Sequence, residues 1–136
     1  GGIQDSPFAQ TQCPDLILSE HSTWKRIYLH RMKHSEICIA STGLHQSSGW
    51  KIAEYLAAGR AIVSEPLCYE VPGPFQAGEN YLTYTSADGC IEQIRTLLAH
   101  PEQILQMGQR NRAYYDTWLR PDQIVTKALE QAKILL

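Results

Sequence analysis

Apolar positions along the chain fall in short runs separated by polar stretches rich in proline and glycine. Residues 15 to 19, D-L-I-L-S, read as a short strand. From Thr23 to Lys33, Trp24, Ile27, Tyr28 and Met32 recur near helical spacing and predict one helix. The Ile-rich S-E-I-C-I-A-S, residues 35 to 41, predicts a second strand, and a polar loop, T-G-L-H-Q-S-S-G, follows it. The next run, W-K-I-A-E-Y-L-A-A, predicts a helix with Ser48 as N-cap and Gly59 as the left-handed residue that stops it. Ala61 to Ser64 is uniformly apolar enough for a strand buried on both faces. Glu65 to Asn80, with Pro66, Pro72, Gly73, Pro74 and Gly78, is a long loop, and Tyr81 to Tyr84 a last short strand. Ser86 opens a helix lined by Ile91, Ile94 and Leu98; Pro101 restarts another at its first position; a final amphipathic helix spans Asp122 to Leu135.

Short strands alternating with helices predict a parallel sheet covered on its faces, an α/β, Rossmann-like domain. With 136 residues there is room for one core; residues 1–15 read as an irregular lead-in or linker and 16–136 as the domain. At 43% hydrophobic and 19% charged residues, the composition is globular rather than disordered. A net charge of −2 gives no electrostatic case for nucleic acid, and no apolar run approaches the roughly 20 residues of a membrane span. The N-terminal residues lack the basic and then apolar regions of a signal peptide. Cys13, Cys38, Cys68 and Cys90 form no C-x-x-C pair, which fits a reducing, cytoplasmic setting.

The candidate chemistry lies where the second strand meets its helix. Ligands of open parallel sheets bind outside the carboxyl ends of the strands. There Ser47, Ser48 and Gly49 would offer backbone N–H groups at the positive end of a helix dipole, an anion site that Gly49 lets a phosphate approach. Lys51 adds a positive charge, and Glu54, three residues on, is acceptor-only and suited to a ribose diol. Together they describe a nucleoside-diphosphate site. A surface Lys51–Glu54 ion pair of small worth would explain the same residues without a ligand.

The run G-W-K-I-A-E-Y-L-A-A-G-R-A-I-V-S resembles the signature of GT-B glycosyltransferases, in their nucleotide-sugar-binding C-terminal domain. Members of the retaining group carry a Glu, seven residues, then a second Glu leading into a small-residue helix, a glycine and an apolar strand; Glu54, Gly59 and Ala61 to Ser64 match the later parts. G-E-N-Y-L-T-Y-T-S-A-D resembles the family's next glycine, strand and helix start, and L-L-A-H-P-E-Q-I-L-Q-M-G-Q-R-N-R the helix pair after it. The resemblance implies a partial GT-B C-terminal domain of a hexosyltransferase that uses a nucleotide-sugar donor and no catalytic metal. Glu54 would bind ribose, Ser47, Ser48, Gly49 and Lys51 the diphosphate, and His45 and Gln46 would lie near the sugar. Gln46 stands where retaining members have their first Glu, and Lys51 resembles a basic residue of a divergent, spore-maturation-type branch, which leaves the stereochemistry open. The acceptor domain of such enzymes is absent from these residues, so the resemblance implies a missing N-terminal domain or partner subunit and no catalysis by this part alone. The rival reading is a non-catalytic Rossmann-like interaction module that has lost its site.

His30 and His34, at i,i+4, have zinc-ligand spacing but no third ligand and no H-E-x-x-H, so a solvated pair is expected. Tyr69 and Glu70 fall where the resemblance brings a loop toward the donor. Tyr114, Tyr115 and Trp118 read as packing aromatics. Arg110 and Arg112 are expected to pair with acids or cap a neighbouring helix.

Overall fold

The structure, a computed structural model, describes residues 5–134, so the first residues of the lead-in and Leu135 of the last predicted helix lie outside it. The described chain falls into two compact units divided between His34 and Ser35.

The first unit is helical. Residues expected to be irregular form α1, Pro7–Gln12, because Ser6 accepts the Ala9 N–H on its hydroxyl at 3.1 Å and Pro7 occupies the first position. The strand expected at 15–19 is not formed. Pro14–Leu16 is a 3-10 turn instead, since Pro14 holds the backbone in the turn region and Asp15 follows in its first turn. α2, Glu20–Thr23, ends at Trp24, and α3, Lys25–His34, is the helix predicted there. On α3 the exposed His30 and His34 rings lie tilted by 34° with centroids 4.2 Å apart, and His34 Nδ1 donates to the His30 carbonyl at 2.7 Å.

The second unit is α/β and Rossmann-like, as expected: a parallel three-stranded sheet, order β1-β2-β3, flanked by helices. β1 is Ile37–Ala40, β2 Ala61–Ser64 and β3 only Leu82–Thr83, shorter than its predicted span. All four β2 residues are buried, which in a strand means both faces are covered. Ala61 and Val63 pack on Leu97 of α5, Ala87–Ala99, and Met107 of α6, Pro101–Tyr114. α4, Gly49–Ala57, packs on β1 and β2 and buries Ile52, Tyr55 and Leu56. Because β3 stops short, the Ile62 N–H facing it has no ladder partner and meets Met107 Sδ at 3.3 Å.

Gly59 ends α4 as expected. At φ 61 it turns left-handed, its N–H reaches Leu56 O and the Arg60 N–H reaches Tyr55 O, each at 3.0 Å, which is a Schellman closure. The same glycine lets α6 approach: a Cβ on Gly108 would stand 2.6 Å from the Gly59 carbonyl oxygen. Arg112 completes the junction, donating to Ala57 O at 2.7 Å and gripping Asp116 with two nitrogens at 2.8 and 3.0 Å. It thus both caps a neighbouring helix and pairs with an acid. Arg110 donates to Glu79 O at 2.8 Å.

The long loop between β2 and β3 is anchored from within. Asn80 and Asn111, both fully buried, join their amides at 3.1 Å, and Asn111 Nδ2 also donates to Arg60 O and Asn80 O. Phe75 stacks on Tyr81 and tilts against buried Tyr114, whose hydroxyl donates to Pro72 O. Residues Tyr115–Leu119 form one π-helical turn, with Trp118 seated where any side chain at Gly73 would be. α7, Pro121–Ile134, closes the described chain and leaves Ile124, Val125 and Leu129 exposed.

Candidate functional site

The loop from Ser41 to Ser48 leaves the carboxyl end of β1 and enters α4, where the sheet geometry predicts a ligand. It is a closed loop: Gly43 N–H donates to Ser47 O at 2.7 Å, Gln46 N–H to Gly43 O at 3.0 Å and Ser47 N–H to Leu44 O at 3.3 Å. Leu44–Gln46 is a 3-10 turn in which His45 (φ 56) and Gln46 (φ 60) are consecutive left-handed residues. Non-glycine residues hold such a conformation at a cost of about 1–3 kcal/mol each and only when their surroundings impose it.

Two side chains from beyond β2 bond to this loop. Glu65 is the residue after β2, and the parallel register that pairs Ala40 with Ser64 brings it beside Thr42. Its Oε2 accepts both the Thr42 N–H, at 2.6 Å, and the Thr42 hydroxyl, at 2.7 Å. These bonds favour the charged form and hold the Glu65 carboxyl below its ordinary value. Tyr69 donates its hydroxyl to the His45 carbonyl at 3.1 Å.

The expected site residues are contiguous and outward-facing. His45, Gln46, Ser47, Gly49 and Lys51 are exposed, and Ser48 and Glu54 half-buried. Ser48 stands at the N-cap, but its backbone is already helical (φ −68, ψ −4) and its hydroxyl accepts no cap bond. The left-handed residue is Gly49, φ 57, and a Cβ built on it meets nothing within 4 Å. On the Gly49 Cβ side the start of α4 therefore faces open space, with Trp50, 79% exposed, beside it. Behind the tip lies a small apolar cavity of about 140 Å³ lined by Ile52, Leu56, Leu67, Phe75 and Tyr114.

Glu70 lines a 370 Å³ cleft with Tyr69, Gly73 and Tyr81 that shares Leu67, Val71 and Phe75 with this cavity. A groove of 670 Å³ lies at the opposite end of the sheet, among Glu36, Arg60, Pro101, Gly108 and Arg112. Sheet topology favours the carboxyl end over this groove. Among the described residues no cluster of three or more His, Cys, Asp or Glu could hold a metal ion, and no helix is long and apolar enough to cross a membrane. Glu65 and the Asn80–Asn111 pair were not singled out from the sequence. For Glu65 a signal existed, a polar residue closing the buried strand next to the candidate loop.

The family model described as glycosyl transferase-like matches residues 15–130. The chain belongs to the glycosyl transferase-like family. The match covers both the loop–α4 site and the α5–α6 pair that supports it. No curated protein and no solved structure gives a significant match to this family member.

Proposed function

We propose that this family member is the donor-binding part of a glycosyltransferase of GT-B type, with residues 16–136 as the nucleotide-sugar-binding domain and 1–15 as a lead-in. The observation that carries the reading is the α4 tip: an unobstructed, left-handed Gly49 at the carboxyl end of β1, flanked by Lys51 and Glu54. In this reading the backbone N–H groups at Ser48 and Gly49 and the Lys51 ammonium neutralise the donor diphosphate, and Glu54 accepts the ribose hydroxyls. Ser47, Gln46 and His45 edge the sugar. Leaving-group charge is stabilised by the helix terminus and Lys51. The sugar acceptor and any base that activates it belong to a separate acceptor domain or subunit, and the working compartment is the cytoplasm.

The test is a thermal-shift panel of UDP, GDP, ADP, dTDP and their sugars on the wild type and on Glu54→Ala. Ligand at a hundred times its Kd stabilises by about 2.7 kcal/mol. A shift with one nucleotide that disappears in a folded Glu54→Ala protein is the expected result. If no nucleotide shifts the melting temperature at millimolar concentration, the interaction-module reading takes its place.

A further inference from the structure

The donor loop does not hold its own shape. Its internal bonds close a ring from Gly43 to Ser47, yet that ring contains two adjacent non-glycine residues in the left-handed region. A chain segment left to itself relaxes such residues. The three bonds that oppose this come from the segment following β2: Glu65 grips Thr42 twice at the start of the loop, and Tyr69 grips His45 at its crest. Both Thr42 donors converge on a single Glu65 oxygen, so the grip fixes the direction in which the backbone leaves β1. The Tyr69 bond pins the carbonyl of the first strained residue, and Tyr69 is otherwise 57% exposed, so little else in the fold demands it.

We propose that Glu65 and Tyr69 are positioning residues for the donor, holding the 42–47 loop in the shape that presents the α4 tip to a diphosphate. The inference rests on the donor reading given above. A loop that leaves this shape binds less tightly in proportion to the fraction of time spent away from it.

The experiment uses the 15N-labelled chain, with inorganic pyrophosphate as the probe because every nucleotide-sugar donor shares that group. Amide exchange at Thr42, Gly43, Gln46 and Ser47 and pyrophosphate affinity at Ser48–Trp50 are measured for wild type, Tyr69→Phe, Glu65→Ala and Glu65→Gln. Tyr69→Phe keeps the ring and removes one hydroxyl, so it preserves the fold even if Glu65→Ala does not. Losing one neutral hydrogen bond is expected to speed loop exchange about two- to tenfold and to weaken pyrophosphate by up to the same factor, with β2 amides unchanged. Glu65→Gln, whose single carbonyl oxygen can accept both Thr42 donors, is expected within about twofold of wild type.

Unchanged loop exchange in Tyr69→Phe overturns the inference and leaves the donor reading standing. Faster exchange with unaltered pyrophosphate affinity overturns the positioning role. Glu65→Gln behaving like Glu65→Ala overturns the shared-oxygen grip. A wild type whose Ser48–Trp50 amides do not respond to pyrophosphate overturns the donor reading itself, and the inference with it.

Discussion

Replacing Asn111 by alanine tests how the site-bearing half of the domain is held. The Asn111 side chain is fully buried and makes three bonds: to Arg60 O at 2.8 Å, to Asn80 O at 2.9 Å and from Asn80 Nδ2 at 3.1 Å. Both amide orientations are dictated by their partners. Asn111 must turn its NH2 to two carbonyls, and Asn80 Oδ1 must accept the Gln76 N–H at 3.1 Å. At about 1 kcal/mol net for each bond, the truncation costs about 3 kcal/mol, a large share of the 5–15 kcal/mol that stabilises a typical domain. Urea unfolding followed by far-UV circular dichroism should show the midpoint falling by roughly 1.5 M with no change in slope. Asn80→Ala removes the amide–amide bond from the other side. The double variant should therefore fall short of the summed single losses by about 1 kcal/mol. A loss below about 1 kcal/mol for Asn111→Ala, or strict additivity in the cycle, would refute the claim that this buried pair joins the β2–β3 loop to α6.

Three further outcomes follow from other parts of the fold. Gly108→Ala should destabilise by about 1–2 kcal/mol in the same urea assay, because overpacking against a backbone carbonyl costs about 1–3 kcal/mol while the gain in helix propensity returns up to about 1; a variant as stable as wild type would contradict the close approach. The Glu65 pKa is lowered from 4.5 by its Thr42 bonds, so the charge-assisted part of the grip is complete above that value and is lost as pH falls through the folded pKa. The Thr42 amide resonance should titrate with a midpoint below 4.5, and a midpoint at or above it would argue against the bond. Among the cysteines, exposed Cys68 should react first with a thiol reagent and Cys38 last, since burial pushes the Cys38 thiol up to about 11; mass spectrometry of partly labelled protein reads the order.

What the sequence disclosed depended on how local the cause was. Gly59 was legible because a Schellman closure involves only the few residues before it, and β2 because an unbroken apolar run has no other home. The D-L-I-L-S run misled because its apolar residues fit a strand pattern that the neighbouring Pro14 and Asp15 override. The site residues from His45 to Glu54 were legible as one contiguous stretch, whereas the groups that shape them were not. Glu65 meets Thr42 across 23 positions and Asn80 meets Asn111 across 31, distances at which periodicity carries no information. The likeness in the later segments has a structural meaning that the motif alone did not reveal. Asn80, Met107, Gly108 and Arg112 lie in those segments, and each holds α6 against β2, α4 or the long loop.

The contact between Gly59 and Gly108 also bears on which substitutions could ever rescue one another. Most tight packing can be relieved by shrinking the opposing side chain, but here the obstacle on each side is main chain. A carbonyl is present whatever residue stands at 59, and its left-handed φ of 61 disfavours anything larger there. No second-site suppressor at the partner position can therefore restore a side chain at 108, and drift at one glycine closes no compensating path through the other. By contrast Leu105, about one turn earlier on α6, is 63% exposed, so its side chain is not enclosed in this way.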